Sequence, residues 1–143
     1  MPRRTVFHLR MLAVVVAGGA VGVAARELVL LPFPPGEPGS PTLPAATLAV
    51  NVLGSFALGL VVGRLGSGRP LLRAFLGAGV LGGFTTYSSF AVQTAVLIGS
   101  SPLAGALLAV VSVAAGLAAA ALGLYVTRRP RHRSGAADPE PSS

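Results

Sequence analysis

The sequence contains neither cysteine nor tryptophan, and only 10% of its 143 residues are charged. Without cysteine, the chain has no disulfide bonds and no thiolate metal ligands. The scarcity of charge excludes a soluble domain of this size, because the surface of a soluble domain needs charged side chains. With 52% of its residues hydrophobic, the composition predicts an all-α integral membrane protein.

Motifs for catalysis are also missing. The sequence has no HExxH motif, no Walker loop and no cluster of cysteine and histidine, and its two histidines, His8 and His132, lie outside the long apolar stretches. No ionisable residue lies near the middle of an apolar stretch, where a proton-coupled pump would need one. These absences argue against an enzyme and against a proton-driven transporter.

Four apolar stretches are long enough to cross a membrane: residues 11–31, 43–63, 72–98 and 103–126. Each reaches the roughly 20 residues that span about 30 Å of hydrocarbon as a helix. We therefore predict three parts. These are a basic cytoplasmic N-terminal segment (1–10), a four-helix transmembrane domain (11–127) and a disordered basic cytoplasmic tail (128–143), which has little apolar surface to bury.

All eleven basic residues are arginine, and ten of them lie outside the apolar stretches or at the very start of one. They cluster before the first stretch, between the second stretch and the first two residues of the third, and after the fourth: Arg3, Arg4, Arg10, Arg64, Arg69, Arg73, Arg128, Arg129, Arg131 and Arg133. The other two connections contain no arginine. By the positive-inside rule, both termini are predicted to be cytoplasmic. Topology in a lipid bilayer thus accounts for the net charge of +7 without a nucleic-acid partner.

One charged pair lies near the outer end of the first stretch, formed by Arg26 and Glu27. Two interpretations remain open at this stage. Arg26 is either an interfacial residue whose guanidinium reaches the lipid headgroups, or a cation placed at the mouth of an anion pathway, where it raises the local anion concentration.

Polar side chains lie along one face of the second stretch. Thr47, Asn51 and Ser55 follow one another at intervals of four residues, which places them on the same side of a helix. An asparagine at membrane depth is costly without a partner. These side chains are therefore interpreted either as hydrogen-bonding contacts between helices or as donors that line a polar path.

The apolar character of the third stretch is interrupted by a segment with two adjacent glycines and several polar side chains, Leu81-Gly82-Gly83-Phe84-Thr85-Thr86-Tyr87-Ser88-Ser89-Phe90. Its glycines and β-branched threonines are poor helix formers, and Thr85 is the middle residue of the stretch. A helix broken at the membrane centre is tolerated only where protein, an ion or water satisfies the freed backbone groups. The interruption is therefore a candidate functional site.

Aromatic and hydroxyl side chains alternate directly after this interruption. Thr86, Ser89 and Gln93 form a polar stripe, and Tyr87 and Phe90 lie beside it. Aromatic residues at helical spacing are usually core residues. The edge of an aromatic ring carries positive partial charge, so ring edges next to hydroxyl groups can also accompany a small anion that has shed its water.

Glycines spaced four residues apart recur in three of the stretches. The pairs are Gly18 with Gly22, Gly59 with Gly63, and Gly79 with Gly83. Such pairs allow close helix packing in lipid, although chance is an alternative explanation in a chain with 19 glycines.

Two motifs carry a resemblance to a known family. Asn51-Val52-Leu53-Gly54-Ser55-Phe56, together with the residues from Gly82 to Phe90, resembles the Fluc (CrcB) family of fluoride channels, and the resemblance covers all four stretches. It implies an antiparallel dimer of four-helix subunits with two pores, which exports fluoride passively across the bacterial plasma membrane. The alternative is a small four-helix, proton-coupled multidrug or cation exporter, which should carry a carboxylate deep in the membrane.

The resemblance also implies roles for individual residues. A structural Na⁺ at the dimer centre would be held by the backbone carbonyls of Gly82 and Thr85. The residues implied for the fluoride pore are Asn51, Tyr87, Phe90, Thr47, Ser89 and Ser112, and the residue implied for the vestibule is Arg26. Two positions depart from the family pattern, because Tyr87 replaces a phenylalanine and Leu108 replaces a tyrosine.

The one-sided arginine distribution yields a further expectation about assembly. An antiparallel homodimer needs one chain to insert in both orientations, whereas this distribution favours one orientation. We therefore expect pairing with an oppositely inserted paralogue, with a homodimer as the alternative.

Overall fold

The computed structural model describes residues 3–33 and 42–127, which are almost entirely helical. Its elements are α1 (Arg3–Leu30), α2 (Thr42–Leu65), α3 (Pro70–Arg73), a π-helical segment (Ala74–Leu81), α4 (Gly82–Phe84), α5 (Tyr87–Ser100) and α6 (Pro102–Thr127). The predicted disordered tail (128–143) lies outside the described residues, as does most of the proline-rich connection between α1 and α2.

Within the described residues, four helical stretches are long and apolar enough to cross a membrane: Thr5–Leu30, Leu43–Leu65, Pro70–Ser100 and Pro102–Thr127. This confirms the prediction of an all-α protein with four membrane-length stretches. The helices extend beyond the apolar runs, and α1 begins at Arg3 instead of near residue 11. Arginine and leucine favour a helix, so the helix continues beyond the roughly 20 residues that the hydrocarbon requires.

Glycines bring the helices together in two pairs. The first stretch packs against the third, where a Cβ atom on Gly79 would lie 2.9 Å from the Cα atom of Gly18. The second packs against the fourth, where a Cβ atom on Gly59 would lie 3.0 Å from the Cα atom of Gly123. The predicted small-residue contacts are therefore present in both pairs, and backbones approach closely where any larger side chain would separate them.

Helical geometry stops after Phe84 and resumes at Tyr87. The two residues between them are extended, with ψ of 154° at Thr85 and 108° at Thr86. The neighbouring glycines, Gly82 and Gly83, remain helical. Within the longer segment predicted from the sequence, only Thr85 and Thr86 are extended, and we call these two residues the interruption. The glycines have weak helix propensity, but the chain leaves helical geometry after them.

Two short connectors join the later helices. Residues 66–69 link α2 to α3, and Gly66 has a φ angle of +51°, which only glycine adopts without strain. Ser101 alone separates α5 from α6.

Candidate functional site

The side chain of Asn51 pairs with the backbone of the interruption. Its Oδ1 atom accepts a hydrogen bond from the N–H of Thr86 at 2.8 Å, and its Nδ2 atom donates to the carbonyl oxygen of Thr86 at 3.2 Å. Thr86 is 3% exposed, so water does not compete for these groups. One amide side chain therefore satisfies both backbone groups of the extended residue.

The side chain of Thr86 caps the helix that follows. Its Oγ1 atom accepts a hydrogen bond from the N–H of Ser89 at 3.2 Å and donates to the Ser89 hydroxyl at 3.0 Å. Threonine is a favoured N-cap residue because its oxygen satisfies a free N–H group in the first turn. The cap explains why α5 begins at Tyr87.

The backbone carbonyl groups of Gly82 and Thr85, near the interruption, depart from regular helical hydrogen bonding. The N–H of Thr86, the usual helical donor to the carbonyl of Gly82, is bonded to Asn51 instead. Thr85 is extended, so its own carbonyl leaves the helical direction. The N–H and the hydroxyl of Thr85 both donate to the carbonyl of Leu81 at 3.0 Å.

Arg26 reaches this region from α1. One guanidinium nitrogen, Nη1, lies 3.4 Å from the carbonyl oxygen of Gly83 and 3.5 Å from that of Thr85. The Nη2 atom forms a 3.0 Å ion pair with Glu27, and the side chains of Arg26 and Glu27 are 18% and 64% exposed. Arg26 thus faces the interruption while its partner carboxylate faces outward.

A pocket of about 300 Å³ opens beside the interruption. Its wall includes six of the residues predicted from sequence: Asn51, Gly82, Thr85, Tyr87, Phe90 and Ser112. The rings of Tyr87 and Phe90 are 6.1 Å apart between centroids and inclined by 52°. None of the residues that line this pocket has a side chain that is charged at neutral pH.

Three residues predicted for the pore or the vestibule, Thr47, Ser89 and Arg26, do not line this pocket. Thr47 is 2% exposed and accepts a 3.0 Å hydrogen bond from Nε2 of Gln93. Ser89 serves the cap of α5. These three side chains have hydrogen-bond partners within the protein.

Two buried hydroxyls have no hydrogen-bond partner among the described residues, those of Thr94 and Ser112. Ser112 belongs to the pocket wall, and its hydroxyl oxygen is buried. The described part of the chain contains no group of three or more histidine, cysteine or acidic residues that could hold a metal ion.

Sequence reasoning overlooked part of the pocket wall, including Gly54, Leu58 and Gly77. It also did not predict that Thr86 would be the partner of Asn51. The pairing joins residues 35 positions apart, and the only sequence signal for it was an asparagine at membrane depth that needed a partner.

The comparisons with known proteins agree with this architecture. The family model described as "CrcB-like protein, Camphor Resistance (CrcB)" matches residues 13–124. "Fluoride-specific ion channel FluC" of Sphingopyxis alaskensis is 44% identical over 124 residues, which cover 80% of this chain and 93% of that relative. "Fluoride-specific ion channel FluC 2" of Bacillus subtilis is 37% identical over 123 residues, which cover 85% of this chain and 90% of that relative. The chain therefore belongs to the CrcB-like family.

Proposed function

We propose that the chain is a subunit of a fluoride-selective channel that lets fluoride leave the bacterial cytoplasm passively and so reduces fluoride toxicity. The names of the relatives support fluoride as the transported ion. The observation that carries the proposal is the pocket in which Asn51, Tyr87 and Phe90 meet at the interruption.

Partial charges in the pocket account for anion passage. The Nδ2 group of Asn51 has two hydrogens and donates one of them to Thr86, and the hydroxyl of Ser112 is unpartnered. The ring edges of Tyr87 and Phe90 add positive partial charge. Such groups replace part of the water around fluoride without a fixed positive charge that would hold it too tightly.

The pocket supports passive flow rather than proton coupling. Proton-coupled transporters use ionisable side chains within the membrane, and no acidic or basic residue lines this pocket. Arg26, on the other side of the interruption, adds a positive potential that attracts anions. This is the vestibule role proposed for it.

We place the interruption at the membrane centre, where the third stretch would be broken into two half-helices. Thr85 is the middle residue of the stretch Pro70–Ser100, which supports this depth. The arginine clusters support cytoplasmic N and C termini. The polar segments that flank the four-helix channel domain would then lie in the cytoplasm.

A structural Na⁺ is a further part of the proposal. The backbone carbonyls of Gly82 and Thr85 would hold it, and this donor set fits, because a hard cation takes oxygen ligands. The ordinary helical donor to the Gly82 carbonyl is diverted to Asn51, and the Thr85 carbonyl already faces one cationic group, the guanidinium of Arg26. Bound sodium would supply positive charge beside the pocket.

Fluoride efflux from liposomes that contain the chain together with its co-expressed paralogue tests the channel function. We expect passive, fluoride-selective efflux that needs no proton gradient, and we expect Phe90→Ile to abolish most of it, because the aromatic ring leaves the pocket wall. Phe7→Ile is the matched control, since Phe7 on α1 is 42% exposed and outside the pocket. Proton-driven export of organic cations would instead support the small multidrug exporter, and normal efflux with Phe90→Ile would contradict the pore assignment.

The proposed assembly is an antiparallel dimer with an oppositely inserted paralogue, with a homodimer as the alternative. The arginine distribution supports a single orientation for this chain. Tyr87 is 81% exposed in the isolated subunit, so its ring is accessible to a second subunit.

Expression without any paralogue tests the assembly. We expect every copy to insert with both termini in the cytoplasm, as mapped by cysteine accessibility in variants with one cysteine added at either end. We also expect fluoride efflux to appear only when the paralogue is expressed in the same cells. A conducting homodimer whose copies occupy both orientations would overturn the proposed pairing.

A further inference from the structure

We infer that Asn51 is a positioning residue that fixes the interruption of the third helical stretch within a single subunit. Its two polar atoms bond the N–H and the carbonyl of Thr86 at 2.8 and 3.2 Å. The side chain thereby substitutes for two helical hydrogen bonds, because an amide presents a donor and an acceptor side by side, as a peptide group does.

The environment of Thr86 makes this substitution necessary. Thr86 is extended and 3% exposed, so neither a regular helix nor water satisfies its backbone. A buried peptide group without hydrogen bonds is strongly unfavourable. The contact from α2 therefore allows the chain to leave helical geometry at this residue.

A second contact restrains Thr86 from the other side. Its hydroxyl accepts the N–H of Ser89 and donates to the Ser89 hydroxyl, which ties it to the first turn of α5. Its N–H, carbonyl and hydroxyl are thus all engaged. With Thr86 held, the carbonyl of Thr85 and the Cα atom of Tyr87 are held as well, because each lies in a planar peptide group with a hydrogen-bonded atom of Thr86.

The groups that hold Thr86 therefore all belong to the same subunit. The benefit for conduction rests on the proposed function, since the contact places the carbonyl proposed for sodium and the backbone of the aromatic residue proposed for the pore. The second hydrogen of the Asn51 amide nitrogen remains available to an anion. Positioning and anion contact are thus compatible in one side chain.

Amide hydrogen exchange at Thr86 tests the inference directly. The full chain, labelled with ¹⁵N-threonine, contains seven threonines, and the Thr86 signal is assigned by its loss in Thr86→Ser. In detergent micelles free of fluoride and sodium, we expect slow exchange at Thr86 in the parent chain. We expect exchange at least about tenfold faster in Asn51→Leu, because a leucine side chain of similar shape has neither an acceptor for the Thr86 N–H nor a donor for the Thr86 carbonyl.

Two further variants keep the test specific. Asn51→Ser is too short to reach both groups and should also accelerate exchange at Thr86, whereas Ser55→Ala on the same helix should leave it unchanged. The amides of Thr47 and Thr127, inside α2 and at the end of α6, report whether each variant remains folded.

The outcomes separate this inference from the proposed function. Unchanged exchange at Thr86 in both folded Asn51 variants would overturn the positioning role. If the parent chain conducts no fluoride even together with its co-expressed paralogue, but exchange at Thr86 still depends on Asn51, the proposed function is wrong and the positioning role stands.

Discussion

Gly22→Val is expected to lower the free energy of unfolding by at least about 2 kcal/mol, because extra volume cannot be accommodated at this helix contact. A Cβ atom at Gly22 would collide with the carbonyl oxygen of Val80 and lie 2.8 Å from the backbone nitrogen of Phe84. Both neighbours are backbone atoms, so no side-chain rotation relieves the clash. The first and third stretches would have to separate, and the interruption would move with the third.

Thermal unfolding in detergent, followed by circular dichroism, measures this effect. Gly19→Val is the matched control, because it introduces the same side chain three residues earlier on α1, where a Cβ atom meets nothing within 4 Å. We expect a fall in the melting temperature of several degrees for Gly22→Val and a much smaller change for Gly19→Val. Equal melting temperatures for the two variants would mean that the close helix contact does not contribute to stability.

Asn51→Asp is expected to reduce fluoride efflux by about a hundredfold or more. The substitution introduces a carboxylate into the pocket wall. Two like charges about 4 Å apart repel each other by about 4 kcal/mol at an effective dielectric constant of about 20, which exceeds the roughly 2.7 kcal/mol that corresponds to a hundredfold change in rate. The negative charge repels fluoride, and the variant also loses the donor that bonds the carbonyl of Thr86.

The efflux measurement needs a control for the change in net charge alone. Gly68→Asp adds the same charge in the exposed connector between α2 and α3, where a Cβ atom meets nothing within 4 Å. We expect normal fluoride efflux from Gly68→Asp in the same liposome assay. Normal efflux from Asn51→Asp would remove Asn51 from the fluoride path.

Much of the fold could be predicted from the sequence because membrane insertion leaves few choices. A long apolar stretch must be helical to satisfy its backbone in lipid, and small residues must lie where helices meet closely. The contact between Gly18 and Gly79 follows from these two requirements. The positions of helix ends did not follow, because polar residues such as Arg3 continue a helix outside the hydrocarbon.

The hydrogen bonds inside the site join residues that lie far apart in the sequence, so local sequence patterns did not predict them. Low helix propensity indicated the glycines and the threonines of this segment together, and of these only Thr85 and Thr86 are extended. The reason lies in another helix, where Asn51 offers an alternative partner to the Thr86 backbone. The direction of Arg26 likewise depends on carbonyls 57 and 59 positions away in the chain.

The two short connectors differ in their tolerance of inserted sequence. Lengthening a surface loop costs little conformational entropy when its ends remain in place. The connector 66–69 meets this condition, since Gly66 and Gly68 have open space where side chains would begin. Ser101 does not, because Ile98 of α5 packs against Gly105 of α6 directly across it. An epitope tag or a fluorescent label should therefore be inserted within 66–69. It would mark one membrane face of the protein without lengthening the connection between the last two helices.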